Sequence, residues 1–372
     1  MPMRKLFLVL LATLPLAAQS KMESLFTPFD GKNPGVSVLV IKNGKTFYER
    51  AAGVRDMKSM SKIGAGTDFR LASMSKQFTA MAVMLLVKDR QMKYEDRLTD
   101  YFPDFPEWGR AITVRHLLTH TAGLPDYEDL MDQRWSATHQ ITDAEALDLI
   151  KKQKEPKFAP GTKWAYSNSA YVLLGLIVAK AGKEPFPDVL HRWIFEPLHM
   201  KHTLAYVKGQ TPDVPSRALG YSKKGGEWVD TDQSSTSATL GDGGIYSNTA
   251  DLAKWDEALR KSTLLPKSDF SAALTPVLVN GALPTWPKEP NEDNLAPGKP
   301  VSYGFGWFLD DYKGRHRMWH TGTTSGFHTV IERFPDEELT IIILANRTDL
   351  DVAKLALQVA DLMDAREVMP RK

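Results

Sequence analysis

Apolar positions at both ends of the chain follow the period of β-strands. The run from Val36 to Lys42 predicts a buried strand, Asn43-Gly44 predicts a two-residue hairpin turn, and Lys45 to Gly53 predicts the returning strand. Near the other end, short alternating runs separated by Gly, Asp and Pro-Asp turns predict four more strands before a closing helix. These runs are Tyr303 to Leu309, Arg315 to Trp319, Thr329 to Phe334 and Glu338 to Leu344, and the helix is Asp351 to Met363.

Between these ends the apolar positions repeat at helical spacing. The predicted helices are Ser73 to Lys88, Thr113 to Thr119, Thr142 to Lys152, Ser169 to Ala181, Phe186 to Ile194 and Thr249 to Leu259. Neither set of strands can cover its own apolar face, so we expect both sets to share one sheet. The prediction is an α/β (α+β) fold with an antiparallel sheet flanked by helices, built from both chain ends, with an inserted all-helical subdomain. The α/β part would comprise about 21–72 and 235–372, and the helical subdomain about 73–234.

The first twenty residues have the pattern of an export signal. Arg4-Lys5 precedes an apolar run from Leu6 to Ala17, and Ala18-Gln19-Ser20 is a small-x-small cleavage pattern. We therefore expect residues 1–20 to be a signal peptide and the mature protein, residues 21–372, to be exported, either periplasmic or secreted. The alternatives are a buried N-terminal helix or a membrane anchor, but the run is short for a bilayer and no other segment approaches that length.

Composition narrows the chemistry. With 372 residues, 42% of them hydrophobic, the chain can bury a large core. Lys and Arg number 47 against 45 Asp and Glu, a net charge of +2, which does not favour a nucleic-acid partner. The absence of cysteine excludes disulfides, thiolate metal sites and cysteine nucleophiles. Serine, carboxylates, histidine, lysine and tyrosine remain as candidate catalytic groups.

Ser73-Met74-Ser75-Lys76 opens an apolar helix and places Ser73 and Lys76 on one face. A lysine is seldom buried without a partner, and an amine beside a hydroxyl can take the proton of a serine nucleophile. Chance alone gives one or two Ser-x-x-Lys matches in a chain of this length. Indeed Ser59-Met60-Ser61-Lys62 is the same tetrapeptide, but no apolar helix follows it, so we expect a solvated loop there.

Two copies of Tyr-Ser-Asn could supply the groups that assist such a pair. Tyr166-Ser167-Asn168 and Tyr246-Ser247-Asn248 each precede a predicted helix. By pattern alone, a packed aromatic followed by a helix cap is the favoured interpretation of Tyr166-Ser167-Asn168, and spacing does not choose between the two copies.

His320-Thr321-Gly322 follows a predicted strand, where glycine would let a ligand approach the backbone. His116 and His120, four residues apart, could face a metal, but the glutamate of the usual zinc motif is absent, so a structural role is favoured. The chain also has no Gly-x-Ser-x-Gly elbow, which argues against an α/β-hydrolase.

Together, and in this order, these motifs resemble those of the penicillin-recognising serine hydrolases, the family of class C β-lactamases, D-alanyl-D-alanine carboxypeptidases and related esterases. The resemblance covers nearly the whole mature chain. Its landmarks are the Ser-x-x-Lys box within Phe69 to Ala80, the segment Arg115 to Pro125, the Tyr-x-Asn box Tyr166 to Tyr171, the segment Gly243 to Ser247, and His320 to Gly322.

The resemblance implies a β-lactamase/transpeptidase-like fold and assigns roles. Ser73 would be the nucleophile, Lys76 its partner and Tyr166 the proton shuttle, with Tyr246 in a glycine-rich loop behind the cleft. Asn168 would contact the substrate amide, and the backbone N–H groups of Ser73 and Thr323 would form the oxyanion hole. His320, Thr321, Gly322 and Thr323 would form the substrate-binding strand.

The expected function is therefore an exported serine hydrolase that forms an acyl-enzyme on Ser73 and acts on β-lactams or D-Ala-D-Ala-type peptides. His320 stands where class C β-lactamases usually have lysine, and a mostly neutral imidazole would bind a substrate carboxylate less strongly. The alternatives are a carboxylesterase acting on small esters and a non-turnover penicillin sensor or scaffold. We expect no metal or other cofactor, and a small-molecule or peptide substrate as the partner. No nucleic acid and no stable membrane span after signal cleavage are expected; the sequence does not determine the oligomeric state.

Overall fold

The computed structural model of the protein describes residues 16–288 and 295–364. The strands in these residues are β1 (Val36–Lys42), β2 (Lys45–Ala52), β3 (Val54–Asp56), β4 (Ser61–Lys62), β5 (Phe69–Arg70), β6 (Leu204–Ala205), β7 (Tyr221–Lys224), β8 (Glu227–Asp230), β9 (Ile245–Ser247), β10 (Phe308–Tyr312), β11 (Arg315–Thr324), β12 (Phe327–Phe334) and β13 (Leu339–Ala345).

The α-helices in these residues are α1 (Leu16–Phe26), α2 (Lys76–Lys88), α3 (Leu98–Tyr101), α4 (Val114–Leu118), α5 (Tyr127–Leu130), α6 (Asp143–Lys151), α7 (Asn168–Gly182), α8 (Phe186–Leu190), α9 (Thr249–Lys261), α10 (Lys267–Phe270) and α11 (Val352–Leu362). Short 3-10 turns occupy Thr27–Phe29, Ala72–Ser75, Glu107–Ala111, Ser271–Leu274 and Pro335–Glu337, and a π-helical turn, His191–Phe195, follows α8.

A six-stranded antiparallel sheet joins the two ends of the chain, in the order β10-β11-β12-β13-β1-β2. The hairpin turn between β1 and β2 has positive φ at both Asn43 (53°) and Gly44 (69°), the backbone that this dipeptide favours. Strand β1 then pairs with β13, from Val36 opposite Ala345 to Lys42 opposite Leu339. The predicted antiparallel sheet built from both chain ends is confirmed.

Each face of this sheet is covered by helices. Helices α1 and α11 pack on one face through residues that include Met22, Phe26 and Val359. The other face packs against the larger core, in which α2 and α7 are buried together. Helix α1 extends across the predicted cleavage point at Ser20, and residues 1–15 of the predicted signal peptide lie outside the described residues. Within 16–288 and 295–364, every helix is too short or too polar to span a bilayer.

Two predicted elements are corrected by the structure. The strand predicted at Tyr303 to Leu309 is wrong, because the chain bends before β10 begins at Phe308. Gly304 packs tightly on the backbone of Ala273, and Gly306 (φ +75°) packs on the backbone of Gln77. The helix predicted from Ser73 begins as the 3-10 turn Ala72–Ser75 and becomes α-helical only at Lys76. The candidate nucleophile therefore lies on a tight turn that follows β5.

Candidate active site

The turn that presents Ser73 is tied to the strands around it. The Leu71 N–H donates to the carbonyl of Ile245 (2.8 Å), and the Leu71 carbonyl accepts a hydrogen bond from Thr329 Oγ1 (2.8 Å). Ala72 has a φ of +50°, a left-handed backbone that costs energy for a residue with a Cβ. Such strain persists only where the surroundings impose it, so β9 and β12 fix the position of the half-buried Ser73.

Lys76 is completely buried, and its amine is hydrogen-bonded to polar groups around it. Its Nζ atom lies 3.0 Å from Ser73 Oγ, 2.7 Å from Asn168 Oδ1 and 2.9 Å from the main-chain carbonyl of Asp242. These acceptors supply the polar partners that a buried lysine needs. The amine is thus held within proton-transfer distance of the hydroxyl of Ser73.

Tyr166, and not Tyr246, lies beside this pair. Lys76 Nζ is 4.9 Å from the centre of the Tyr166 ring, which packs on the ring of His120 at 4.5 Å. Tyr246 lies in β9 with the guanidinium of Arg217 over its ring at 5.2 Å. The structure thus brings the first Tyr-Ser-Asn copy to Lys76, and Asn248 of the second copy caps α9 by accepting a hydrogen bond from the Asp251 N–H.

Asn168 connects Lys76 to a carboxylate that the sequence analysis missed. While Asn168 Oδ1 accepts from Lys76, its Nδ2 donates to Glu128 Oε1 at 3.1 Å. Glu128 lies on the short helix α5, is exposed, and is 40 residues away from Asn168 in the sequence. No local motif marks it, because only the tertiary fold brings α5 to the start of α7. A hydrogen-bonded chain therefore runs from Ser73 through Lys76 and Asn168 to Glu128.

Ser73, Asn168 and Glu128 border a cleft of about 660 Å³. Strand β11 also borders the cleft, with Thr323 and Thr324. The pairing of β11 with β12 extends to Thr324, whereas its pairing with β10 ends at Trp319. On the β10 side, therefore, the segment 320–324 has no strand partner within the described residues. Most of the remaining lining is polar, and it includes Arg70, Tyr127, Ser234, Ser235, Thr236, Thr239, Thr323, Thr324, Ser325 and His328.

His320 is not among the residues that line this cleft and is 1% exposed. Its Nε2 atom is 3.1 Å from the Tyr303 hydroxyl and its Nδ1 atom is 2.6 Å from the Thr321 carbonyl. Burial and the nearby charge of Lys76 lower the pKa of His320 to about 3, although the hydrogen bond to the Thr321 carbonyl opposes this shift. The imidazole is therefore neutral near pH 7.

The other two residues of this motif lie in different surroundings. A Cβ at Gly322 would lie 2.0 Å from the Leu71 carbonyl oxygen and 2.4 Å from Thr329 Oγ1, so only glycine lets β11 approach the Ser73 turn this closely. Thr321 lines a separate pocket with Trp286, Phe308 and Trp319.

His116 and His120 have separate structural roles. His116 Nδ1 accepts a hydrogen bond from the Thr113 N–H in a helix cap, and His120 Nδ1 accepts one from the Ser167 N–H. Burial, with Lys76 and His320 nearby, lowers the pKa of His120 well below its usual value. Its uncharged ring forms part of the packing behind Tyr166.

A second group of polar residues supports the backbone that binds Lys76. Asp242, whose carbonyl accepts from Lys76, has a side-chain Oδ2 that accepts from the Tyr127 hydroxyl at 3.1 Å. Two residues earlier, the Leu240 N–H donates to Asp143 Oδ1 at 3.0 Å. Both carboxyl groups are buried. They hold the loop 239–243 against α5 and α6.

Comparison with known proteins gives matches over most of the chain. A family model described as Beta-lactamase matches residues 19–363. Penicillin-binding protein 4* of Bacillus subtilis (strain 168) is 30% identical over 338 residues, which cover 87% of this chain and 71% of that protein. Protein flp of Staphylococcus aureus (strain NCTC 8325 / PS 47) is 27% identical over 332 residues, which cover 87% of this chain and 62% of that protein.

A solved structure shows the same fold. The D-amino acid amidase from Ochrobactrum anthropi SV3, complexed with L-phenylalanine, superimposes with a TM-score of 0.76 at 23% sequence identity. The match covers 94% of this chain and 99% of that one.

Proposed function

The chain belongs to the Beta-lactamase family and is a serine hydrolase, and from that premise we propose that it acts through an acyl-enzyme on Ser73. The observation that supports this most directly is the completely buried Lys76, hydrogen-bonded to Ser73 Oγ and Asn168 Oδ1. Burying an amine is costly, and placing it on a hydroxyl is the arrangement that activates a serine.

In the proposed reaction, Ser73 Oγ attacks the acyl carbon and its proton passes to the Lys76 and Tyr166 pair. The oxyanion that forms accepts hydrogen bonds from the N–H groups of Ser73 and Thr323. As this intermediate collapses, the bond to the leaving group breaks and Tyr166 returns the proton to the leaving atom. Water, giving a proton to the same pair, then attacks the ester carbon. The bond to Ser73 Oγ breaks, the pair returns the proton to Ser73 Oγ, and the acid is released.

For the substrate we propose an acyl-D-amino acid compound of the D-Ala-D-Ala or β-lactam type. The open side of β11 offers backbone groups to an extended substrate, as in strand addition. Thr323 and Asn168 both line the cleft and would each offer hydrogen-bonding groups to an acyl amide bound there. The name of the Bacillus relative, a penicillin-binding protein, supports the same class.

A second candidate function, hydrolysis of small esters or amino acid amides, is favoured by the charges near Ser73. His320 is neutral and so gives little attraction to a substrate carboxylate. On the acyl side, Glu128 presents a carboxylate that would attract an ammonium group. The D-amino acid amidase shares the fold, and its name indicates substrates of that kind.

Steady-state hydrolysis by matched serine variants tests the nucleophile. Ser73→Ala should lose at least about a thousandfold in kcat on a D-Ala-D-Ala peptide, a penicillin or an activated ester. Ser59→Ala, in the identical tetrapeptide on an exposed turn, should keep the wild-type rate. An equal loss of kcat in both variants, or no loss of kcat in Ser73→Ala, would overturn the proposal.

We also propose that the protein is exported through cleavage after residue 20. The basic, apolar and small-residue segments of residues 4–20 support this. Expression in a bacterial host should yield an extracytoplasmic protein whose N-terminal residue is Lys21. An uncleaved protein found only in the cytoplasm would contradict it.

A further inference from the structure

A second cavity, of about 710 Å³, lies behind the cleft between helices α6, α7 and α8 and the loop 233–243. Its walls are largely apolar and include Leu176, Ala179, Phe186 and Leu240. Pockets of this size with apolar walls and a few polar groups are typical of small-molecule sites. Neither Ser73 nor any residue to which we assign chemistry lines this cavity.

The loop 233–243 forms a wall between this cavity and the catalytic cleft. Ser234, Thr236 and Asp242 line the cleft. Ser237 and Leu240 line the second cavity. The two spaces are thus separated by a single thickness of polypeptide chain.

A buried acid provides a polar group inside the cavity. Asp143 lines it, is 8% exposed, and accepts a hydrogen bond from the Leu240 N–H through Oδ1. Its Oδ2 atom has no hydrogen-bond partner among the described residues. Burial and the charge of Asp242 raise the pKa of Asp143 well above its usual value, which favours the protonated form, whose hydroxyl can donate a hydrogen bond.

One cationic side chain that lines this cavity is already paired. Arg217 forms an ion pair with Asp232, and its guanidinium lies over the ring of Tyr206 at 5.7 Å. Lys208 and Asp188, of opposite charge, also line the cavity. These surroundings favour an uncharged ligand over an anion.

We propose that this cavity binds a neutral, apolar small molecule whose polar group hydrogen-bonds to Asp143, and that its occupancy changes the rate of catalysis at Ser73. Binding of this molecule does not depend on the proposed acyl-enzyme chemistry, whereas its effect on the catalytic rate does.

The loop gives this coupling a physical path. Leu240 contacts the cavity, the next residue, Gly241, accepts a hydrogen bond from Thr79 of α2 at 2.7 Å, and Asp242 accepts one from Lys76. A Cβ at Gly175 would lie 3.1 Å from the Cα of Gly241, so α7 and the loop are in close contact. A ligand that displaces Leu240 therefore displaces an acceptor of the catalytic lysine.

Titration of the intact protein with Nile red, a neutral fluorescent dye, tests the binding. We expect one saturable site, equally present in Ser73→Ala and in the wild type. Ala179→Trp fills the cavity and should weaken binding at least tenfold, and Ala144→Trp, from the opposite wall, should do the same. Lys180→Trp, exposed on the same helix and outside the cavity, is the matched control and should bind like the wild type.

Two outcomes would overturn the proposal. Binding that survives both cavity-filling variants, in folded protein by circular dichroism, would place the dye elsewhere. Loss of binding in Leu283→Ser would assign the dye site instead to the exposed leucines Leu274, Leu278, Leu283 and Leu295.

Dye saturation should also change wild-type turnover of an activated ester at least twofold. An unchanged rate would refute the coupling alone, and a fully active Ser73→Ala would refute the proposed function without affecting the dye titration.

Discussion

The Nζ atom of Lys76 lies 2.7 Å from Oδ1 of Asn168, a residue 92 positions later in the chain. This contact connects the proposed nucleophile to the proposed acyl-binding side of the cleft, because Lys76 also bonds Ser73 and Asn168 also bonds Glu128. Groups in such a network are expected to act together, so removing any one of them should affect the others.

Replacing the buried lysine should separate activity from stability. Lys76→Met keeps the length of the side chain and removes a completely buried amine, so kcat should fall at least about a thousandfold while the melting temperature stays the same or rises. Lys62→Met, in the repeated tetrapeptide, is the control and should leave kcat unchanged. A large fall in melting temperature together with normal kcat would contradict this.

The two tyrosines can be compared directly. Tyr166→Phe should lower kcat by about a hundredfold, because the ring stays beside Lys76 and only the hydroxyl that transfers the proton is lost. Tyr246→Phe, in the second Tyr-Ser-Asn copy, should have little effect on kcat. The reverse order of effects, measured on the same acyl donor, would show that the hydroxyl of Tyr246 is the one required.

We expect the charge of Glu128 to favour acyl groups that carry an ammonium group. Glu128→Gln keeps the oxygen that accepts from Asn168 but removes the charge, so KM for an α-amino acyl ester should rise about tenfold, with a much smaller change for the ester lacking the amine. Asp129→Asn removes the adjacent carboxylate, which pairs with Lys157, and serves as the control. Equal KM changes for the two esters would argue against charge recognition.

The buried His320 should make the protein sensitive to acid. Its pKa is lowered to about 3, whereas the unfolded chain titrates near 6.5, so between these values only the unfolded state binds the proton. The free energy of unfolding should therefore fall as pH falls through this range. Relative to His320→Gln, the wild type should lose about 1.4 kcal/mol per pH unit below pH 6, measured by urea unfolding. If the free energy of unfolding depended on pH in the same way in both proteins, the buried imidazole would not be neutral.

We expect Gly322 to be required for the close approach of β11 to the Ser73 turn. In Gly322→Ala the new methyl group would collide with the Leu71 carbonyl, and the strand and the turn must separate. We expect at least about a tenfold loss of kcat/KM, since small displacements of catalytic groups are costly. Gly66→Ala is the matched control, because a Cβ there meets no atom within 4 Å. A wild-type kcat/KM in Gly322→Ala would show that activity does not require the close approach of β11 to the Ser73 turn.

The sequence predicted the sheet well where local signals and burial agree. Asn43-Gly44 forms the expected turn, and the run Val36–Lys42 is nearly all buried. The sequence failed at Tyr303, which is aromatic and buried but lies where two glycines bend the chain against α2 and the 3-10 turn Ser271–Leu274. Strand propensity at that point is overridden by tertiary packing.

The candidate site was predictable only where the residues lie in motifs. Ser73, Lys76 and Asn168 come together as expected. Glu128 and the carbonyl of Asp242 were missed, because an exposed carboxylate on a one-turn helix and a backbone oxygen leave no pattern in the sequence. The choice of Tyr166 over Tyr246 likewise came from the family resemblance and not from spacing.

The most direct measurement of the central claim is intact-protein mass spectrometry after acid quenching during reaction with a penicillin or an activated ester. We predict a mass increase equal to the bound acyl group, located by peptide mapping to Ser73 and absent from Ser73→Ala. The same adduct, or undiminished turnover, in Ser73→Ala would contradict an acyl-enzyme on this serine.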